Sequence, residues 1–285
     1  MNVSGEVAVI TGGASGIGRG TALALARHGA DIVLADVHDG RLAQVSAEIA
    51  ALGRRVHSVH CDVACDDDVA RLADEAEATL GPVGLVMNNA GVVLRGALEQ
   101  IDPADWQWCF GINVFGVIRG VHAFLPRMIA RRHGYIVNTG SLAGVVPLTG
   151  EGAPYIASKF AVVGLTEALA LYARPFGIGV SLLCPGGVAT NLAETGRSIG
   201  MTPEREASET RMAQSVQGGH EMQPEEIGEL VVRAVQAEQF LVLPDPSSTE
   251  LIRRRAQDVN AFLADRFKAL ETEVDSPTPP SPTLS

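Results

Sequence analysis

The feature that most narrows the fold of this chain is an alternation. Short runs of Val, Ile and Leu follow one another along the sequence, with segments of helical period between them. Residues 7–10, 32–35, 56–61, 85–87, 135–137, 180–183 and 240–243 read as seven strands. Ile32, Val33, Leu34 and Ala35 are apolar at every position, as a strand covered on both faces must be. Between strands, Leu42, Val45, Ile49 and Leu52, and then Val69, Leu72, Ala73, Ala76 and Leu80, recur at the spacing of helices with one buried face. Further helices are expected at 17–28, 103–131, 153–174 and 224–237. Helices alternating with wholly apolar strands specify crossovers on a mostly parallel sheet, so the expectation is a single doubly wound α/β domain with seven strands.

Two stretches interrupt the rhythm. Residues 190–222 are polar and loop-like, contain Gly196, Gly200, Gly218 and Gly219, and carry Met201, Met212 and Met222. An insertion of that length is expected to act as a substrate lid within a domain spanning 1–246. After it, 247–272 reads as one amphipathic helix with Ile252, Ala256, Val259, Leu263, Phe267 and Leu270 on one side. The Pro/Ser/Thr-rich tail 273–285 cannot pack and is expected to be disordered.

Charge and cysteine content exclude several functions. Twenty-two Lys and Arg against 33 Asp and Glu give a net charge of −11, which disfavours nucleic acid as a partner. No run approaches the roughly 18 apolar residues of a spanning helix, and the first residues lack a basic leader, so neither membrane nor export is expected. The four cysteines, Cys61, Cys65, Cys109 and Cys184, form no CxxC pair or disulfide framework, which fits a reducing cytoplasm. His57 and His60 beside Cys61 and Cys65 lack a second cluster, and no metal site is assigned. Trp106 and Trp108 are read as packing residues, and Arg253, Arg254 and Arg255 as a solvated helix face.

Two local patterns carry chemistry. Thr11-Gly12-Gly13-Ala14-Ser15-Gly16-Ile17-Gly18 directly follows the first strand and opens the first helix. Glycines there let phosphate approach the free N–H groups of a helix N-terminus, and Asp36, ending the second strand, is placed to accept from an adenosine ribose. The glycine spacing is G-x-x-x-G-x-G rather than G-x-G-x-x-G, and taken alone an ordinary glycine-rich turn explains it equally well. The second pattern is Tyr155-Ile156-Ala157-Ser158-Lys159. Positions i and i+4 share a helix face about 5–6 Å apart, which sets an ammonium one turn from a phenol and makes the pair a candidate general acid/base.

Order and placement of these motifs together resemble the classical short-chain dehydrogenase/reductase family over roughly residues 5–245. The resemblance rests on 11–18, Asp36, Asp62 with Val63, Asn88-Asn89-Ala90-Gly91, Asn113, Ser141, Tyr155 with Lys159, and Pro185-Gly186 followed by Thr190. It implies a Rossmann-type fold, a homotetramer assembled through the helices at 103–131 and 153–174, and an NAD-dependent oxidoreductase interconverting a small-molecule secondary alcohol and a ketone. By resemblance, Tyr155 exchanges the proton and Ser141 hydrogen-bonds the substrate oxygen. Lys159 holds the nicotinamide ribose and lowers the Tyr155 pKa, and Asn113 holds a proton-relaying water. Bringing a phenol from about 10 to about 7 takes roughly 4 kcal/mol, which Lys159 and an oxidised nicotinamide would share. The cofactor set so implied comprises Gly12, Ser15, Gly16, Ile17, Gly18, Asp36, Asp62, Val63, Asn89, Ala90, Gly91, Tyr155, Lys159, Pro185, Gly186, Val188 and Thr190. NAD is expected over NADP because Val37 and His38 follow Asp36 with no adjacent Arg or Lys. Ser141 precedes Tyr155 by 14 positions, about one more than is usual in the family, so the intervening loop and the substrate shape it admits can differ. The alternatives are an epimerase or dehydratase of a related subgroup and a dinucleotide-sensing regulator, the latter expected to lack Tyr155, Lys159 or Ser141.

Overall fold

The computed structural model describes residues 1–147, 149–202 and 221–274. Strand β1 (Val7–Thr11) is buried along its whole length. It lies between β2 (Asp31–Asp36) and β4 (Val83–Asn88), with Val9 in register with Val33 on one side and Val86 on the other. β3 (Val56–His60), β6 (Tyr135–Thr139), β7 (Gly179–Leu183) and β9 (Leu241–Val242) complete a seven-stranded parallel sheet of order β3-β2-β1-β4-β6-β7-β9. β1 and β2 are apolar throughout because helices cover both faces of the sheet. On one face α1 (Gly16–Arg27), α2 (Asp39–Ala51) and α7 (Pro224–Ala237) contribute Leu25, Ile49 and Val231 to a core with Ile10 and Leu34. On the other, α3 (Asp66–Leu80), α5 (Phe115–Arg131) and α6 (Ala153–Ala173) contribute Leu72, Phe124 and Leu169 to a core with Val9 and Val33. The winding reverses between β1 and β4, and such reversals open a crevice at the carboxyl ends of the strands.

The structure departs from the sequence reading at four places. The helix expected at 103–131 is two, α4 (Pro103–Asn113) and α5, separated at Val114. The helix expected at 247–272 is also two, α8 (Ser247–Gln257) and α9 (Val259–Val274). Asp258 separates them in extended conformation, and its Oδ1 accepts from the N–H groups of Asn260 and Ala261, which caps α9. That turn breaks the apolar stripe: Val259 and Phe267 are exposed, and Phe262 is the buried residue instead. Within 190–222, residues 192–195 form a 3-10 turn, and β8 (Arg197–Ile199) pairs in parallel with β5 (Leu94–Gly96). Met222 does not face a substrate cavity: it bridges to Val188 and packs on the α1–α7 core. Met212, Gly218, Gly219 and the tail beyond 274 lie outside the described residues.

Trp106 and Trp108 pack around Leu94, Ile101 and Cys109, with the Arg197 guanidinium 3.9 Å from the Trp108 ring centre. The stretches Pro103–Arg131 and Ala153–Phe176 are long and apolar enough by composition to cross a bilayer. In the fold, Phe124 and Met128 of the first and Leu169 and Ala173 of the second are buried against the sheet.

Candidate active site

A cleft of about 300 Å³ opens along the carboxyl ends of the strands, at the reversal between β1 and β4. Its floor begins with the glycine turn. Gly16 adopts φ +48°, a left-handed conformation suited to glycine, and a Cβ there would lie 3.1 Å from Thr190 Cγ2. Gly18 is needed for space: a Cβ would stand 2.0 Å from the Gly12 carbonyl oxygen. Ser15 at the N-cap makes no capping hydrogen bond, so the first-turn N–H groups of α1 remain for a ligand. Asp36 is held by two backbone donors, Ala14 N–H to Oδ2 at 3.1 Å and His38 N–H to Oδ1 at 3.1 Å, which orients its remaining lone pairs.

The next wall is stitched by Asn89. Its side-chain amide donates to the carbonyls of Thr11 and Gly12, and its Oδ1 accepts from Thr139 Oγ1 at 3.2 Å, joining the ends of β1, β4 and β6. Behind it runs a buried polar chain that no sequence pattern announced. Asn88 Nδ2 donates to Asn138 Oδ1 at 2.8 Å, Asn138 Nδ2 to Thr166 Oγ1 at 3.0 Å, and Thr166 Oγ1 to the Val162 carbonyl at 2.6 Å. Through Thr166 this chain fixes α6 to the sheet about two turns beyond Lys159.

Helix α6 delivers Tyr155 and Lys159 on the same face. Ser141 caps the 3-10 turn Leu142–Gly144, its Oγ accepting from Ala143 N–H at 3.1 Å, and lines the cleft beside Tyr155, close enough to lower the pKa of its hydroxyl. Burial raises the Tyr155 pKa above the usual phenol value; the Ser141 hydrogen bond and the charge of Arg95 pull the other way. Lys159 is buried too, and desolvation pushes it down to about 8. Its Nζ donates to the Thr139 carbonyl at 2.9 Å and stands 5.7 Å from the centre of the Tyr155 ring. The expected lowering of the Tyr155 pKa involves an oxidised nicotinamide as well as Lys159; in the cofactor-free chain desolvation is the largest influence on the phenol and holds it protonated.

Seventeen of the residues expected at the site line the cleft: Gly12, Ser15, Gly16, Ile17, Asp36, Asp62, Val63, Asn89, Ala90, Gly91, Ser141, Tyr155, Lys159, Pro185, Gly186, Val188 and Thr190. Gly18 and Asn113 do not. Gly18 supports the turn from beneath, and Asn113 is buried, its Oδ1 accepting from Val92 N–H at 2.8 Å while Nδ2 donates to the Val92 carbonyl and to Ser158 Oγ. Through these bonds the Asn113 side chain fixes α4 against α6. The sequence reading missed Thr139, Ile112, Leu192 and Thr195, which also line the cleft. Thr139 was the most legible of these, since it ends a strand on the site's side of the sheet. Among the described residues no group of three or more His, Cys, Asp or Glu is placed to hold a metal, and all four cysteines are free thiols.

A parallel sheet with this order, a glycine turn at its reversal and a Tyr-Lys pair beside a serine define a dinucleotide-dependent oxidoreductase fold. The chain belongs to the short chain dehydrogenase family, whose sequence profile matches residues 6–198. Members of this family use nicotinamide cofactors and act on small molecules. The chain is 35% identical over 260 residues to the C alpha-dehydrogenase of Sphingobium sp. strain SYK-6, covering 89% of this chain and 85% of that protein. It is likewise 35% identical over 218 residues to 3beta-hydroxysteroid dehydrogenase 2 of Eggerthella lenta, covering 76% and 80%. A short chain dehydrogenase/reductase from Burkholderia phymatum, solved in complex with NAD, superposes with a TM-score of 0.83 at 34% identity, covering 99% of both chains.

Proposed function

We propose that this oxidoreductase interconverts a secondary alcohol and a ketone by hydride exchange with NAD, with Tyr155 as the general acid/base. The observation that carries this reading is that Ser141, Tyr155 and Lys159 line one cleft together, with the Lys159 ammonium one helical turn from Tyr155 and 5.7 Å from its ring centre. The glycine turn and Asp36 suit a dinucleotide, because only a backbone without Cβ atoms at Gly16 and Gly18 leaves this cradle its shape. A nicotinamide held there would supply the hydride exchange with the substrate carbon. The chain supplies the rest. Ser141 hydrogen-bonds the substrate oxygen. In reduction the protonated Tyr155 gives that oxygen its proton as the carbonyl carbon gains hydride; in oxidation the phenolate takes the hydroxyl proton as the carbon–hydrogen bond breaks. Lys159 holds a ribose hydroxyl and supports the phenolate.

The reading of NAD rather than NADP is supported by the cations near Asp36. Arg19 is committed to Glu48 at 2.6 Å and Glu225 at 2.7 Å, and Arg41 to Glu194 at 3.0 Å, so both arginines that could reach a 2′-phosphate already bind carboxylates. The Arg41–Glu194 pair also ties α2 to the start of segment 190–222, which we assign as the lid of a domain spanning 1–246. Assembly into a homotetramer through α4, α5 and α6 is supported by apolar residues left uncovered there: Leu171 is 81% and Tyr172 61% exposed on α6, with Phe115 and Ile118 exposed on α5.

The test is absorbance of the reduced nicotinamide with a panel of secondary alcohols and ketones, comparing the unaltered chain with Tyr155→Phe. Turnover is expected to fall by about 10³-fold while NAD affinity stays within a few-fold. Near-normal turnover in that variant would remove the acid/base role.

A further inference from the structure

Beyond β9 the chain turns back over the site. Asp245 accepts from the backbone N–H of Ser247 at 2.8 Å and opens α8, and Arg254 on α8 pairs with Asp265 on α9 at 2.9 Å, so the two helices lie together. The face they cover is not the sheet. Phe262, 4% exposed, packs with Leu142 and Val146, which are 1% and 0% exposed, and Val145, Leu251, Ile252 and Leu263 surround them. This small core is separate from the two that flank the sheet.

Leu142 is the residue after Ser141. The turn it begins is fixed from inside at three points: Leu142 N–H donates to the Pro185 carbonyl at 2.8 Å, Ala143 N–H donates to Ser141 Oγ at 3.1 Å, and Gly144 abuts Lys159, where a Cβ would stand 2.6 Å from the Lys159 carbonyl oxygen. One short turn thus touches Ser141 at its start and Lys159 at its end, and Phe262 closes it from outside. A second contact runs alongside: the Arg255 guanidinium lies 5.3 Å from the ring centre of Phe160, the neighbour of Lys159.

We propose that Phe262 is a positioning residue, through which the α8–α9 pair buttresses the turn 142–146 and so holds the Ser141 hydroxyl against Tyr155. This rests on the reading of Tyr155 and Ser141 given above. Hydrogen bonds between hydroxyls weaken steeply as their geometry is lost, and misplacement of a reacting group by about 1 Å can cost about 10²-fold in rate. Removing the ring leaves a void on the outer side of the turn, into which Leu142 and Val146 can relax. The cofactor contacts at 11–18 and Asp36 lie on other elements and are untouched.

The experiment compares the full-length chain with Phe262→Ala and Phe262→Leu, with Tyr155→Phe as reference. The first readout needs no substrate: with NAD bound, the phenolate absorbance difference between a chain carrying Tyr155 and its Tyr155→Phe counterpart isolates this residue among three tyrosines. Since the Ser141 hydrogen bond lowers the Tyr155 pKa, its titration midpoint should rise by about half a pH unit or more in Phe262→Ala and return towards normal in Phe262→Leu. The second is turnover of the best secondary alcohol of the panel, where kcat should fall about tenfold or more with the NAD dissociation constant within twofold. A purely structural role would lower the melting temperature while leaving kcat per NAD-binding site and the phenol midpoint unchanged, and that result overturns the proposal. Should Phe262→Ala not bind NAD, Phe262→Val is read on the same two axes. Turnover by Tyr155→Phe would instead refute the catalytic assignment itself, whatever the Phe262 variants do.

Discussion

Lys159→Met should make the cofactor-free protein more stable while removing its activity. Burial holds the ammonium near pKa 8 instead of 10.5. At about 1.4 kcal/mol for each pH unit, retaining that charge at pH 7 costs the folded chain about 3 kcal/mol relative to the unfolded one. Against this, methionine forfeits the hydrogen bond to the Thr139 carbonyl, about 1 kcal/mol, while its thioether fills much of the same volume. The expected gain is about 2 kcal/mol at pH 7, or roughly 5 °C in melting temperature. The pH dependence makes the reasoning specific. Between pH 8 and 10.5 the unfolded chain keeps its Lys159 proton while the folded chain loses it, so the unaltered protein gains stability as pH rises through that window. The advantage of the variant should shrink over the same range. Urea unfolding at fixed protein concentration, without NAD, at pH 7 and pH 10 measures both quantities. An unaltered chain as stable as the variant at pH 7, or a difference independent of pH, would show that the site does not carry this strain.

Three further outcomes follow from the geometry. NAD should bind at least tenfold more tightly than NADP, about 1.4 kcal/mol, and Asp36→Ser should narrow that ratio in a competitive titration; equal affinities in the unaltered chain would contradict the role of Asp36. Gly18→Ala should lose at least tenfold in NAD affinity, because its Cβ would stand 2.0 Å from the Gly12 carbonyl oxygen and the turn must move; calorimetric binding like that of the unaltered chain would refute it. Leu171→Glu should lower the mass measured by light scattering at micromolar concentration, since it sets a charge in the most exposed apolar position of α6, and an unchanged mass would place the interface elsewhere.

What the sequence disclosed depended on how local the physics was. β1 and β2 were legible because a strand covered on both faces must be apolar at every position, and α3 because Val69, Leu72, Ala73, Ala76 and Leu80 all point to one core. The break at Val114 was not, since Val114 itself keeps a right-handed helical conformation and the chain runs from one helix into the next without a turn residue. β5 and β8 are three residues each, too short for a period, and exist because distant segments meet: Arg197 N–H reaches the Val93 carbonyl, and Ala97 N–H reaches that of Ile199. At 247–272 the stripe was real over part of its length, but Asp258 competes as a cap for the following helix and rotates the register.

The site divides in the same way. Residues whose side chains or missing side chains define the chemistry, such as Gly16, Asp36, Tyr155 and Lys159, stood out by type and order. Their supports did not, because the partner is so often a backbone atom. The acceptor for Lys159 is the Thr139 carbonyl, and a carbonyl has no signature in the sequence. Asn113 shows the consequence: its carboxamide is tied to the backbone of Val92 and the hydroxyl of Ser158, partners that no motif announces. The same asymmetry explains the phenol. A Tyr and a Lys four residues apart predict a lowered pKa only if charge outweighs burial, and burial depends on the whole fold. Here burial wins for both groups, which leaves the cofactor-free site neutral at Tyr155 and strained at Lys159. A site so balanced is poised to respond to any positive charge brought beside the phenol.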